Sequence, residues 1–208
     1  KICIITSDIG GPGTGNVAED IILGLEESGL ELNIICENNN SRLISTKNIV
    51  EVGLKQIIRR EIVTKLCYAV MSYPLNEIFW IFKVKKIFKA IIQTSKPEFI
   101  MILTSAGGLH LIETGRIISK KHNIELYIHS TDPMPAPVMW REKPILRAGT
   151  MRIMRKSFKH ARIFSLANRA MLSYQMNVIG KNINGRGFVI HNPTRGAALK
   201  RNNTSAIF

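Results

Sequence analysis

Acidic side chains are scarce in this 208-residue sequence, and toward its end they almost vanish. There are 15 Asp and Glu against 29 Lys and Arg, a formal net charge of +14. Residues 140–208 carry 14 basic side chains and one acid, Glu142, whereas residues 1–139 carry 15 basic and 14 acidic ones. A surface so biased is expected to meet something anionic: phosphate, nucleic acid, a lipid headgroup or an acidic protein face. Cysteine is sparse too. Cys3, Cys36 and Cys67 are odd in number, far apart and set among apolar neighbours, which excludes a disulfide framework and reads as reduced core thiols of a cytosolic protein. Aromatic residues make up only 7% and no nucleic-acid reading module is present, so nucleic acid is disfavoured as the partner. Within 66–92 the longest uncharged stretch is the eleven residues Leu66–Asn76, broken by Pro74, where a spanning helix needs about 20. Lys1 leads directly into a short apolar run ending at Ser7-Asp8, which is no secretory signal. Internal repeats, low-complexity tracts, His/Cys spacing for zinc and a G-x-S-x-G nucleophile motif are also missing. What remains, at 45% hydrophobic and 21% charged, is a globular chain with a sizeable core.

Apolar strands alternate with helices along that chain. Ile2–Thr6 reads as a buried strand, stopped by Gly10-Gly11-Pro12-Gly13-Thr14-Gly15. Val17, Ile21, Ile22 and Leu25 recur at helical spacing and Gly29 follows, predicting a helix over 16–28. Further strands are predicted at 32–36, 99–103, 126–129, 162–165 and 188–190, with helices to about Lys121, over 145–160 and over 168–176. Strands apolar on both faces, each followed by a helix, require a mostly parallel sheet with helices on both sides: an α/β, Rossmann-like three-layer sandwich. Two segments depart from the pattern. Residues 37–47 read as a polar loop marked by Asn38-Asn39-Asn40, and about 54–92 as a helical insertion mixing apolar and basic residues.

A glycine loop between a strand and a helix lets backbone N–H groups and the helix dipole receive an anion. Counted from Gly13, the loop fits the dinucleotide fingerprint as Gly13, Gly15 and Ala18 with Glu37 after the second strand; counted from Gly11 it fails at Asn16. A tight structural turn, a dinucleotide site and a site for another phosphate all remain open. His129 ends a predicted strand and precedes the proline-stiffened segment Ser130–Pro137, at the sheet edge where ligands of open α/β sheets bind. Asp132 in that segment reads as a turn carboxylate, and Met134 and Trp140 as packing residues. Glu19 and Glu27, with seven residues between them, read as a solvated helix face, not a hydrolase pair. The 145–160 helix sets Arg152, Arg155, Lys156 and Lys159 on one arc and Leu146, Met151, Ile153, Met154 and Phe158 on another, with Arg147 alone on the apolar side. Phe79, Trp80, Phe82 and Phe88 interleaved with Lys83, Lys85, Lys86 and Lys89 give the insertion the same interfacial character, suited to an anionic membrane surface.

The order of these pieces, from Ile4-Ile5-Thr6 and the glycine loop through Pro97–Leu103, the strand ending in His129 and Ile163-Phe164-Ser165 to Val189-Ile190-His191-Asn192-Pro193, resembles the N-terminal lobe of a GT-B fold glycosyltransferase, most like glycosyltransferase family 4. The resemblance covers nearly the whole chain: residues 1–193 as the lobe, 194–208 as interlobe linker or truncated tail. It implies transfer of a sugar from a nucleotide-diphosphate donor to an acceptor hydroxyl, with retention of configuration and without a bound metal or other cofactor. It also implies a glycan or lipid-linked acceptor of cell-envelope polysaccharide or glycolipid synthesis, at the cytoplasmic face of a membrane. Gly11, Gly13, Thr14 and Gly15 would lie near the donor phosphates and acceptor, His129 beside the reacting sugar with Asp132 close by, and Ser165 at the start of a cleft loop. The donor-binding lobe with its Glu-x7-Glu motif is not in this sequence, so the chain alone is expected to be inactive. The competing expectation is a non-catalytic α/β domain presenting its cationic surface to nucleic acid or a partner protein.

Overall fold

The computed structural model describes residues 1–11, 13–46, 48–53, 75–135, 144–180 and 186–192. Seven strands form one sheet in the order β3-β2-β1-β4-β5-β6-β7: β1 Ile2–Ile9, β2 Leu32–Asn39, β3 Ile49–Glu51, β4 Phe99–Thr104, β5 Glu125–Ser130, β6 Ile163–Leu166 and β7 Gly187–Val189. Every pairing is parallel. The helices are α1 Thr14–Glu27, α2 Leu75–Thr94, α3 Leu109–His122, α4 Pro144–His160 and α5 Arg169–Ile179. This is an α/β, Rossmann-like sandwich.

Chain direction decides which helix covers which face. From β1 the path steps to β2, then returns past β1 to β4 and onward, and right-handed crossovers therefore send α1 to one face and the later helices to the other. Two buried clusters record the split. Ile4, Ile22, Ile34, Cys36, Met101 and Leu103 pack under α1, while Ile5, Ile35, Ile100, Ile102 and Ile128 pack against Trp80, Val84 and Phe88 of α2, Leu111 and Ile112 of α3, and Met154 and Phe158 of α4. Gly115 of α3 lies so close to β4 that a Cβ there would stand 2.6 Å from Ile102 Cδ1. On the α1 side, no helix among the described residues covers the outer strands, leaving Phe99, Ile163, Phe188 and Ile190 40–50% exposed.

The loop expected from Glu37 starts later. β1 and β2 both run past the end of β4, pairing Asp8 with Asn38 and Ile9 with Asn39, and Asn38 Nδ2 donates to Asp8 Oδ1 at 2.8 Å. That polar cross-strand pair carries the ladder three residues beyond the apolar pattern. β3 was not foreseen: its three residues are too few for periodicity to register. Of the helical insertion expected over 54–92, residues 75–94 form α2, whereas 54–74, including Cys67, lie outside the described residues, as do Trp140 and 193–208.

Candidate functional site

The strand order reverses between β1 and β4, and the crevice beyond their carboxyl ends is where a ligand of this architecture binds. Its floor is the glycine loop. Gly10, Gly11 and Gly13 have φ of +72°, +79° and +69°, conformations that side chains resist. Gly10 N–H donates to the Gly15 carbonyl at 2.9 Å, and a Cβ on Gly15 would stand 2.1 Å from Gly10 O. The loop is thus folded onto itself at Gly10 and Gly15. Gly13 faces open space, with no atom within 4 Å of a Cβ there, and a Cβ on Gly11 would meet only Asn40 Nδ2 at 3.9 Å. α1 begins beside them at Thr14 without a side-chain cap or an acid in its first turn, so its leading N–H groups are left for a ligand or water.

The dinucleotide alternative loses its acid. Glu37 lies on the face opposite α1, buried against His110, whose Nε2 pairs with Glu37 Oε1. Side chains alternate along a strand, so it is Asn38, not Glu37, that turns toward Asp8 and the loop. The solvated helix face expected for Glu19 and Glu27 holds for Glu27 alone. Glu19 is buried and accepts from Ser41 Oγ, because that side of α1 packs under the loop after β2.

His129 and Ser165 are register partners on β5 and β6. His129 is 1% exposed and Ser165 is fully buried, so neither opens to the crevice. Ser165 lies inside β6 and does not begin a loop, a correction that follows from the ladder continuing to Leu166. Its Oγ sits 2.8 Å from His129 Nδ1 and 2.5 Å from Tyr127 Oη. Burial pushes the His129 imidazole down to about 4, opposed by the Asn192 side chain. At neutral pH the ring is uncharged. Asp132 is held in its own turn: Thr131 Oγ1 donates to its carboxylate at 3.2 Å and Ser130 Oγ to its carbonyl at 2.6 Å. The segment beyond is clamped to α5, since Gln175 accepts from Met134 N and donates to Met134 O at 2.6 and 2.7 Å. Met134 is fully buried, as a packing residue.

A second polar cluster escaped the sequence reading. His110 on the first turn of α3 has Nε2 against Glu37 of β2 and Nδ1 3.6 Å from Glu77 of α2, and its ring meets Trp80 edge-on at 5.0 Å. Burial raises the Glu77 carboxyl to about 7, with His110 opposing the shift. These residues are 73 and 33 positions apart in sequence, so no local pattern joins them; the one available signal is a histidine flanked by Leu109 and Leu111 in an apolar helix.

The basic residues fall outside the crevice. On α2, Phe79, Phe82, Lys83, Lys86 and Lys89 are exposed while Trp80, Val84 and Phe88 are buried, and Lys85 Nζ lies 5.3 Å from the Phe82 ring centre. On α4, Arg152, Arg155, Lys156 and Lys159 are exposed and Ile153, Met154 and Phe158 buried. Arg147, on the apolar side of α4, donates to Tyr174 Oη of α5 at 3.1 Å. Among the described residues no helix is long and apolar enough to cross a membrane.

No family model matches the chain, and no curated protein matches it significantly. Among solved structures it is similar to MurG of Acinetobacter baumannii at 12% identity, covering 82% of this chain and 42% of that one with a TM-score of 0.48. It is also similar to a UGT transferase of Siraitia grosvenorii in complex with UDP, at 12% identity over 84% of this chain and 43% of that one, TM-score 0.46. A third is UGT2 of Phytolacca americana complexed with UDP-2-fluoro-glucose and pterostilbene, at 9% identity over 82% and 48%, TM-score 0.45. The chain spans less than half the length of each of these structures.

Proposed function

We propose that this chain is the acceptor-side lobe of a glycosyltransferase that uses a nucleotide-diphosphate sugar. The observation that carries the reading is the glycine loop: an uncapped helix start and two unobstructed glycines set at the switch point of a parallel sheet. In the reaction, the acceptor oxygen bonds to the anomeric carbon as that carbon's bond to the diphosphate breaks, and the hydroxyl proton leaves with the departing group. Backbone N–H groups at the start of α1 are suited to the charge that develops on phosphate oxygens. The donor itself is held mainly by a second lobe, and this lobe supplies the crevice wall made by the overhanging ends of β1 and β2. The exposed phenylalanines of α2 and the exposed cations of α2 and α4 suit an acceptor carried on an anionic membrane surface.

Thr14→Glu tests the loop in the native gene product, recovered with an antibody against this chain. A carboxylate in the first turn favours the helix by up to about 1 kcal/mol, so folding is preserved, but it repels a phosphate. The expected result is unchanged or raised thermal stability with transfer of labelled sugar to a lipid extract reduced at least about ten-fold, roughly 1.4 kcal/mol. Undiminished transfer would remove the loop from the site, and absence of transfer by the unsubstituted enzyme from every nucleotide-sugar supplied would end the reading.

A further inference from the structure

Three side chains on the α1 side of the sheet form a hydrogen-bonded line: Tyr127 Oη, Ser165 Oγ and His129 Nδ1, with contacts of 2.5 and 2.8 Å. At its far end His129 Nε2 and Asn192 Oδ1 are both buried, and neither has a hydrogen-bond partner among the described residues. Burial keeps the imidazole neutral at ordinary pH, so it carries one hydrogen, and the serine between the two rings also has one. Ser165 Oγ has one hydrogen and two lone pairs, so three arrangements exist. Hydrogens run from tyrosine to serine to Nδ1, leaving a hydrogen on Nε2; or they run the other way and leave the tyrosine hydrogen unplaced; or both rings donate to Ser165 Oγ, which leaves the hydrogen of this fully buried serine without an acceptor among the described residues and Nε2 without a hydrogen.

Two observations select the first direction. Tyr127 lines an apolar groove of about 520 Å³ with Ile2, Phe99, Met101, Ile163 and Phe188, a wall that offers a phenol hydrogen no acceptor, whereas Ser165 Oγ lies 2.5 Å away and is able to accept it. At the other end, the Asn192 side chain is close enough to favour the protonated ring, as its buried and unpartnered oxygen would toward a hydrogen on Nε2; without that hydrogen both atoms would be acceptors only. We propose that Tyr127 and Ser165 are positioning residues that hold His129 as the tautomer with its hydrogen on Nε2, making it a neutral hydrogen-bond donor at the end of β5. The ring thus offers its hydrogen to an oxygen, that of Asn192 or of a group replacing it, and does not act as a proton-accepting base at Nε2. Use of that donor on a substrate oxygen rests on the glycosyltransferase reading; the tautomer itself does not.

Long-range proton–nitrogen correlation spectra of the ¹⁵N-labelled full chain near neutral pH test the proposal, with the His129 signals identified by their loss in His129→Gln. The expected pattern is a pyridine-type Nδ1 and a pyrrole-type Nε2, in at least about ten-fold excess over the other tautomer, a difference of roughly 1.4 kcal/mol. Ser165→Ala should bring the two tautomers to comparable amounts, and Ser165→Thr, which keeps the hydroxyl, should restore the excess. A hydrogen on Nδ1 in the unsubstituted chain overturns the proposal without any variant having to fold. So does an unchanged ratio in Ser165→Ala. If the spectra are as expected and His129→Ala leaves sugar transfer by the intact enzyme untouched, the positioning holds and the substrate role of His129 falls.

Discussion

Burial moves two titratable side chains in opposite senses. His129 falls from 6.5 to about 4, so its folded form resists the proton that the unfolded chain accepts, and stability is lost as pH falls from 6.5 through 4. Glu77 rises from 4.5 to about 7, so the folded form keeps its proton longer, and stability is lost as pH rises from 4.5 through 7. Each effect amounts to about 3 kcal/mol over its window. Between 4.5 and 6.5 the two nearly cancel. Removing one should expose the other: His129→Gln is expected to become less stable than its own acid form as pH rises, and Glu77→Gln to lose stability as pH falls. Denaturant unfolding of both variants from about pH 4 to 8 reads the slopes against the parent chain, and slopes of the same sign in the two variants would refute the assignment. Neither shift was legible in sequence. The apolar run Leu126-Tyr127-Ile128 places His129 at a strand end, but whether that end is open or roofed depends on Asn192, 63 positions away.

At the scale of elements, the glycine loop divides into two kinds of glycine. Gly15 is required by contact: its missing Cβ admits the Gly10 carbonyl, and Gly15→Ala forces a 2.1 Å clash between backbone atoms and a first-turn side chain. Loss of about 2–3 kcal/mol is expected, near the upper end for overpacking, measurable as a lowered unfolding midpoint. Gly24, in the last turn of α1 and exposed with nothing within 4 Å of a Cβ, supplies the control, where alanine should stabilise by up to about 1 kcal/mol. A Gly15→Ala chain as stable as the parent would mean that the loop is not closed as described. The strand–loop–helix order and the helix start were readable from composition and spacing. The overhang of β1 and β2 was not, because Asp8, Asn38 and Asn39 look like loop residues until the ladder pairs them.

For the whole molecule, charge and architecture separate. The crevice is formed by glycine backbone, the Asp8–Asn38 pair and buried polar groups, and the exposed cations of α2 and α4 lie on the face opposite α1. If those cations meet anionic lipid, the chain should co-sediment with anionic vesicles at low salt and be released as screening shortens from about 10 Å at 0.1 M to about 3 Å at 1 M. At about 1 kcal/mol per cation, Lys83→Gln with Lys86→Gln should lower partitioning by roughly thirty-fold. No sedimentation at low salt would sink the membrane reading and leave the fold reading intact.

Sequence alone determined the parallel α/β layers, the glycine loop and the basic, aromatic-studded faces, because these follow from local periodicity, backbone freedom at glycine and charge count. Tertiary structure alone decided that Glu37 pairs with His110, that Glu19 is buried, and that Tyr127, Ser165, His129 and Asn192 meet in one line. Those outcomes depend on which face each strand residue turns to and which distant element covers it. Both are set by register between strands, which no single segment of sequence contains.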